Sequence, residues 1–232
     1  MPRETLDREI QHLYDDLLVL GSMVEQAILG SVEALKKRDL EVARRIYEGD
    51  ERINEKRFEI ENECIITIAT QQPLARDLRI LASILEIIAD LERMGDYAKG
   101  IANICLKIGK EPLLKPLIDI PRMAEIAASM LHRALTAFVH GDLELALVIP
   151  KDDDLVDDLY NQVHRELVTF MIADPSTIQK ADYLLWVAHN LERMADRVTN
   201  ICERVYFVAH AELLEMNAIY AKLEQQKQQN SG

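Results

Sequence analysis

Cysteine, glycine, proline and aromatic residues are all scarce in this chain. Its 232 residues include 3 cysteines, 8 glycines and 7 prolines, and aromatics make up 5%. Cys64, Cys105 and Cys202 stand far apart among apolar neighbours. They form no Cys-x-x-Cys pair and no disulfide framework, so buried free thiols in a reducing compartment are expected. No Lys/Arg run offsets the formal net charge of −13, which repels a phosphate backbone and argues against direct nucleic-acid binding. No stretch of 18 or more residues is free of charge, and the opening Met1-Pro2-Arg3-Glu4-Thr5-Leu6-Asp7 lacks the apolar core of a signal peptide. A soluble cytoplasmic protein is expected. Also missing are a nucleophile beside a base, a glycine-rich phosphate loop and a Cys/His metal set, so no enzyme is indicated.

What the chain does have is 49% hydrophobic and 29% charged residues, the balance of a mostly helical protein, and one heptapeptide written twice. Asp90-Leu91-Glu92-Arg93-Met94-Gly95-Asp96 returns one hundred residues later as Asn190-Leu191-Glu192-Arg193-Met194-Ala195-Asp196. On a helix, Glu92 and Asp96 lie one turn apart on the same side, as do Glu192 and Asp196. Each like-charge pair costs an isolated helix about 0.2–0.5 kcal/mol, so its repetition points to a cation held between the acids. Asp90 and Asn190 fall on another face and are left out of the site.

Apolar residues at helical spacing predict helix one over about Glu4 to Lys37, and Asp39 offers an N-cap for a second helix reaching Gln71-Gln72-Pro73. Helix three, Leu74 to about Ile108, ends at Gly109. The segment Lys110–Pro116 reads as a linker, after which the plan starts again. Helix four begins at Asp119 and Pro121 and ends near His140-Gly141; helix five follows Asp142, kinks at Pro150 and stops at Asp174-Pro175. Helix six carries the second heptapeptide and runs to about Lys222. The expected fold is all-α, with tandem antiparallel three-helix bundles at residues 1–110 and 117–224 and a polar, frayed tail at 225–232.

In an antiparallel pair, residues equally far from the turn share a height. Counted from Gln72, Asp50 matches Asp96 and Asn54 matches Glu92 to within two residues; counted from Asp174, Asp153 matches Asp196 and Asp157 matches Glu192 to within one. Glu25 and Glu125 reach the same levels from the first helix of each unit and join as third-helix candidates. Such an oxygen-rich set suits Mg, Mn, Fe or, less typically, Zn. The competing reading is a solvated helix face whose acids pair with Arg52, Arg57, Arg93 and Arg193. Glu9-Ile10-Gln11-His12 has the spacing of a di-iron ligand pair but no second copy and no supporting glutamates, so the match is read as chance; His164 and His189 have no histidine counterparts in the first half and are read as structural.

With the duplicated Leu-Glu-Arg-Met-x-Asp motif, the paired Asp-x-x-Ile/Val elements at Asp50 and Asp153, and Asn200-Ile201-Cys202-Glu203 after the second copy, the chain resembles the PhoU family of phosphate-uptake regulators from about Leu6 to Phe207. The resemblance implies two bundles related by approximate two-fold symmetry. It implies a negative regulator of the phosphate-starvation response that links the phosphate ABC transporter to a membrane sensor histidine kinase, associated only peripherally with membrane complexes. Self-association into a homodimer stays open. The family's acidic motif maps onto Glu92 and Asp96 and onto Glu192 and Asp196, binding iron, zinc, magnesium or manganese in some relatives; Asn200 and Glu203 extend the second set. Asn54 stands where the second half has Asp157, and Gly100 and Asn103 stand opposite Asn200 and Glu203. The first site is therefore expected to bind a metal more weakly than the second. The alternative from another class is a carboxylate-bridged metal enzyme of the helical-bundle type.

Overall fold

The computed structural model describes residues 2–230, which hold eight α-helices, two short 3₁₀ turns and no strand. Helices α1 (Pro2–Lys37), α2 (Leu40–Gln71) and α3 (Arg76–Ile108) form one antiparallel three-helix unit. Its repeat consists of α4 (Asp119–His140), α6 (Asp153–Ala173) and α7 (Ile178–His210), with the short α5 (Leu143–Val148) before α6 and α8 (Met216–Asn230) after α7. The all-α, duplicated architecture expected from the repeat is the one observed.

Most helix ends follow from local chemistry. Asp39 accepts hydrogen bonds from the backbone N–H groups of Glu41 and Val42, and Asp142 accepts one from Leu145, so each aspartate satisfies orphan donors of the helix it starts. Gly109 and Gly141 end α3 and α4 at φ of 64° and 66°, a region that favours glycine. Pro150 breaks the fifth predicted helix outright: α5 gives way to a 3₁₀ turn at Ile149–Asp152, and α6 starts anew at Asp153.

Two ends differ from expectation. Helix α3 begins at Arg76, two residues late, because Gln72 and Ala75 sit at φ of 48° and 46° and cannot be helical. Helix α7 stops at His210 instead of continuing to Lys222; Ala211 turns left-handed at φ 60°, and its N–H bonds the Phe207 carbonyl. The chain then folds back. Met216 and Ile219 of α8 become buried, and the Tyr220 hydroxyl donates to the Leu147 carbonyl, so packing outweighs helix propensity. The expected tail at 225–232 begins within α8; Ser231 and Gly232 lie outside the described residues.

The buried side chains form one contiguous core across both units. Leu17, Val24 and Ile28 of α1, Leu91 and Met94 of α3, Met123 and Leu131 of α4, and Leu191 and Met194 of α7 are all fully buried. Helix α1 is long and apolar enough to cross a membrane by length and composition, but its apolar stripe is part of this core. Helix α1 packs on α4, and α3 packs on α7 about as extensively as on α2. At Gly21 a Cβ would come within 2.1 Å of the buried Leu135 Cδ1, so α1 and α4 depend on glycine to approach.

The α3–α7 contact shows the two-fold relation at residue level. Asp90 accepts from Arg197 Nη1 at 3.1 Å and from Asn200 Nδ2 at 3.3 Å. Its counterpart Asn190, one hundred residues on, donates to the Tyr97 carbonyl at 3.5 Å and crowds Gly100. Positions 90 with 197 and 200, and 190 with 97 and 100, are thus exchanged by the same rotation. Burial raises the Asp90 carboxyl above the usual carboxylate range, against the opposing pull of Asn200 and Arg197. Removing Asp90 takes away the carboxylate that faces the part-buried Arg197 guanidinium and the Asn200 amide, whereas removing Asn190 deletes one long neutral bond. Asp90→Ala should therefore cost on the order of 2 kcal/mol and Asn190→Ala less than about 1, read as urea midpoints at unchanged slope.

Candidate metal centres

The second bundle gathers acids from two helices. Asp153 and Asp157 occupy the first two turns of α6, and Glu192 and Asp196 lie one turn apart on α7. Asp153 is held up at a pKa of about 7, first by burial and then by repulsion from Asp157, Asp196, Glu192 and Asp154. That rise wins over the helix N-terminus, which by itself favours a charged aspartate. Glu192 and Asp157 are shifted upward for the same reasons, burial foremost and Asp196 next. Four carboxylates therefore feel one another across the α6–α7 contact.

Their existing partners are too few. Asp153 Oδ1 and Glu192 Oε2 are buried oxygens with no hydrogen-bond donor among the described residues; His189 Nδ1 stands 3.5 Å from Glu192 Oε2 without hydrogen-bond geometry. Asp196 is paired with Arg193 at 2.7 Å. Orphaned buried acceptors in an all-oxygen set fit a hard divalent or trivalent cation. No three of these carboxylates bring ligand atoms within 4.8 Å of one another, so their side chains would have to move to share one ion. Beside them a cavity of about 630 Å³ is lined by Asp153, Asp154, Asn200, Glu203, Glu215 and Tyr220, so α8 walls one flank of this site.

The first bundle presents a different solution. Asp50 of α2 is 3% exposed, and Lys99 Nζ of α3 lies 2.7 Å from its Oδ2; Asn54 Nδ2 donates to the same oxygen at 3.3 Å. This contact holds the Lys99 ammonium above its usual pKa range. Gly95 lies beside this contact: a Cβ there would press on the Ile53 side chain at 3.2 Å and touch Asp50 Oδ1 at an ordinary 3.6 Å. Asp96 faces Arg93 at 3.6 Å, with Glu92 one turn before it.

The remaining expected ligands go elsewhere or stand at the rim. Glu25 turns to α4 and faces His132 Nδ1 at 3.3 Å, while Glu125 is exposed. Asn200 spends its amide on Asp90 at the bundle interface, and Glu203 accepts the Met216 N–H at 2.8 Å, although both border the cavity beside Asp153. Sequence reasoning missed Lys99, which a comparison of the two copies at positions 99 and 199 exposes. It set His12 aside and did not propose Asp16 or Glu63, yet the ligand atoms of the three lie within 4.8 Å of one another between α1 and α2. There Lys56 already holds Asp16 at 2.8 Å.

The raised Asp153 carboxyl makes stability depend on pH. The folded state binds its proton more tightly than the unfolded chain, so this contribution is present near pH 4 and lost as pH rises through about 7. In chelator-treated protein, melting temperature should fall between pH 5 and 8. Asp153→Asn should flatten that fall, as followed by circular dichroism.

Known proteins are similar to this chain over most of its length. The PhoU domain matches residues 17–105 and again 120–205, one match per bundle. A "Phosphate-specific transport system accessory protein PhoU homolog" of Aquifex aeolicus is 36% identical over 94% of this chain and 99% of its own length. The PhoU accessory protein of Escherichia coli K12 is 33% identical over 86% of this chain and 83% of its own. The crystal structure of PhoU from Pseudomonas aeruginosa superimposes with a TM-score of 0.84 at 32% identity, covering 89% of this chain and 99% of that one. The phosphate transport system regulatory protein PhoU from Streptococcus pneumoniae gives 0.83 at 32%, covering 90% and 99%. With both halves matched and nearly the whole length shared, the chain belongs to the PhoU family.

Proposed function

We propose that this chain is a regulatory accessory protein of a phosphate-specific transport system, acting by docking and without turnover. The observation that carries this reading is the match over 94% of the chain to a relative named as an accessory protein of that system. The family resemblance extends it to negative regulation of the starvation response, by bridging the phosphate ABC transporter and a membrane sensor histidine kinase from the cytoplasm. Cys64, Cys105 and Cys202 are buried free thiols, and burial lifts Cys64 and Cys202 to a pKa of about 12, which suits a reducing compartment. Self-association belongs to the same proposal, since Phe58, Ile65 and Ile66 leave apolar area open on α2.

The second acidic cluster is the proposed cation site. Asp153, Asp157, Glu192 and Asp196 would hold an iron, manganese, magnesium or zinc ion, with Asn200 and Glu203 at its edge. The ion would supply positive charge that offsets the carboxylate repulsion and offers a bridge to acidic groups of a partner. Exposure supports docking over an enclosed catalytic site: Asp157 is exposed and the Asp196 side chain is 38% exposed.

Three measurements test this. Affinity capture from membrane extracts should enrich transporter and kinase components, and loss of the protein should leave the starvation response switched on in phosphate-rich medium; failure of both overturns the docking role. In metal titrations by calorimetry, Asp196→Ala should lose far more binding than Asp96→Ala. Equal or absent losses remove the cation from the proposal.

A further inference from the structure

The two acidic clusters are built on matching frames and differ in one decisive position. Position 99 of α3 corresponds to position 199 of α7, as 92 does to 192 and 96 to 196. In the first bundle this residue is Lys99, whose ammonium lies 2.7 Å from the buried Asp50 carboxylate and 5.4 Å from the centre of the Tyr47 ring. In the second it is Thr199, whose hydroxyl donates to the Asp196 carbonyl on its own helix at 2.7 Å and so brings no charge to the acids. The α2–α6 correspondence adds to the contrast. Asn54 stands in for Asp157 and donates its amide to Asp50, while Asp153 keeps a buried oxygen without a donor. Counting side chains, the first cluster holds three acids and one lysine, the second four acids and no lysine; the arginines Arg93 and Arg193 are common to both.

We infer that Lys99 is a tethered counter-ion: its ammonium takes, in the first bundle, the place that a cation from solution takes in the second, so that Lys99 decides which of the two duplicated sites accepts a metal. This rests on the second cluster being a cation site. An ammonium is a compact charge with three donors, suited to neutralise a buried carboxylate without any coordination sphere. Being part of the chain, it need not be captured from solution, and a metal arriving at Asp50 would have to displace it. The Asp50 carboxylate is thereby satisfied whatever the cation concentration. The Asp153 carboxylate is satisfied only when a proton or a cation is supplied.

The exchange of these residues is the test, with Mn(II) as probe, read by calorimetry and by the paramagnetic resonance of bound Mn(II), and with folding followed by circular dichroism. Wild type should bind Mn(II) at one class of site that Asp153→Asn removes and Asp50→Asn leaves intact. Thr199→Lys should reduce that binding at least tenfold and raise the melting temperature of the chelated protein, a change that loss of fold would not produce. Lys99→Thr combined with Asn54→Asp should add a second class of site, lost again on Asp50→Asn. Mn(II) bound by wild type at a site that Asp50→Asn abolishes would overturn the inference and leave the proposed function standing. Absence of wild-type binding would instead remove the cation from the proposed function. That outcome overturns the inference as well, because it needs a second site that takes a cation.

Discussion

The crossing of α3 over α7 constrains everything else in this molecule. Each helix carries a heptapeptide whose leucine and methionine, Leu91 with Met94 and Leu191 with Met194, are fully buried. A further face of each helix, holding Asp90 and Asn190, is turned onto the other helix, where Asp90 meets Arg197 and Asn200 and Asn190 meets the Tyr97 backbone. Once those faces are committed, Glu92 with Asp96 and Glu192 with Asp196 have only the flanks left, each beside the helix that packs there: α2 on α3, α6 on α7. The acidic clusters are therefore placed by the core. A heptapeptide with a core face, an interface face and an acidic face leaves little freedom for the third.

Electrostatics then separates two sites that packing makes alike. Bringing a second helix's aspartate against a pair of acids raises the free energy of the charged form, and the chain must lower it by a proton, a tethered cation or a free one. The first bundle uses Lys99. In the second, the Asp153 pKa of about 7 is the mark of a charge without a partner. Helix α8 deepens the difference: α3 is followed by the Lys110–Pro116 linker, whereas α7 is followed by a helix that walls the Asp153 flank with Met216, Asn217 and Tyr220.

Much of this was legible in the residues because the informative features are local or repeated. Helix ends at Asp39, Gly109, Gly141 and Asp142 follow from caps and left-handed turns, and the repeat announced a duplicated bundle before any packing was known. Heights along the helices were legible by counting. Rotation was not: Glu25 counts level with Asn54 yet turns to His132, and Asn200 turns to Asp90, because which face a long helix shows is settled by neighbours distant in sequence. Ala75 and Ala211 end segments at positive φ with no residue preference to signal it. The role proposed for Lys99 leaves no mark in the acidic motif itself; its trace in the chain is a lysine at position 99 where the repeat has a threonine at 199.

Unequal charging of a duplicated unit has a physical consequence for a docking protein. A surface whose carboxylates are matched by a covalently attached ammonium presents the same potential at any cation concentration. One whose carboxylates await a mobile ion changes by two or three elementary charges on binding, and within a Debye length of about 8 Å a partner senses that change directly. On the reading proposed here, the α2–α3 flank is a constant contact and the α6–α7 flank a variable one. An exact repeat with two open sites would respond at both ends together, and one with two lysines at neither. On that same proposal, one lysine set against one threonine would let a nearly symmetric fold hold one partner steadily while its grip on another follows the supply of cation.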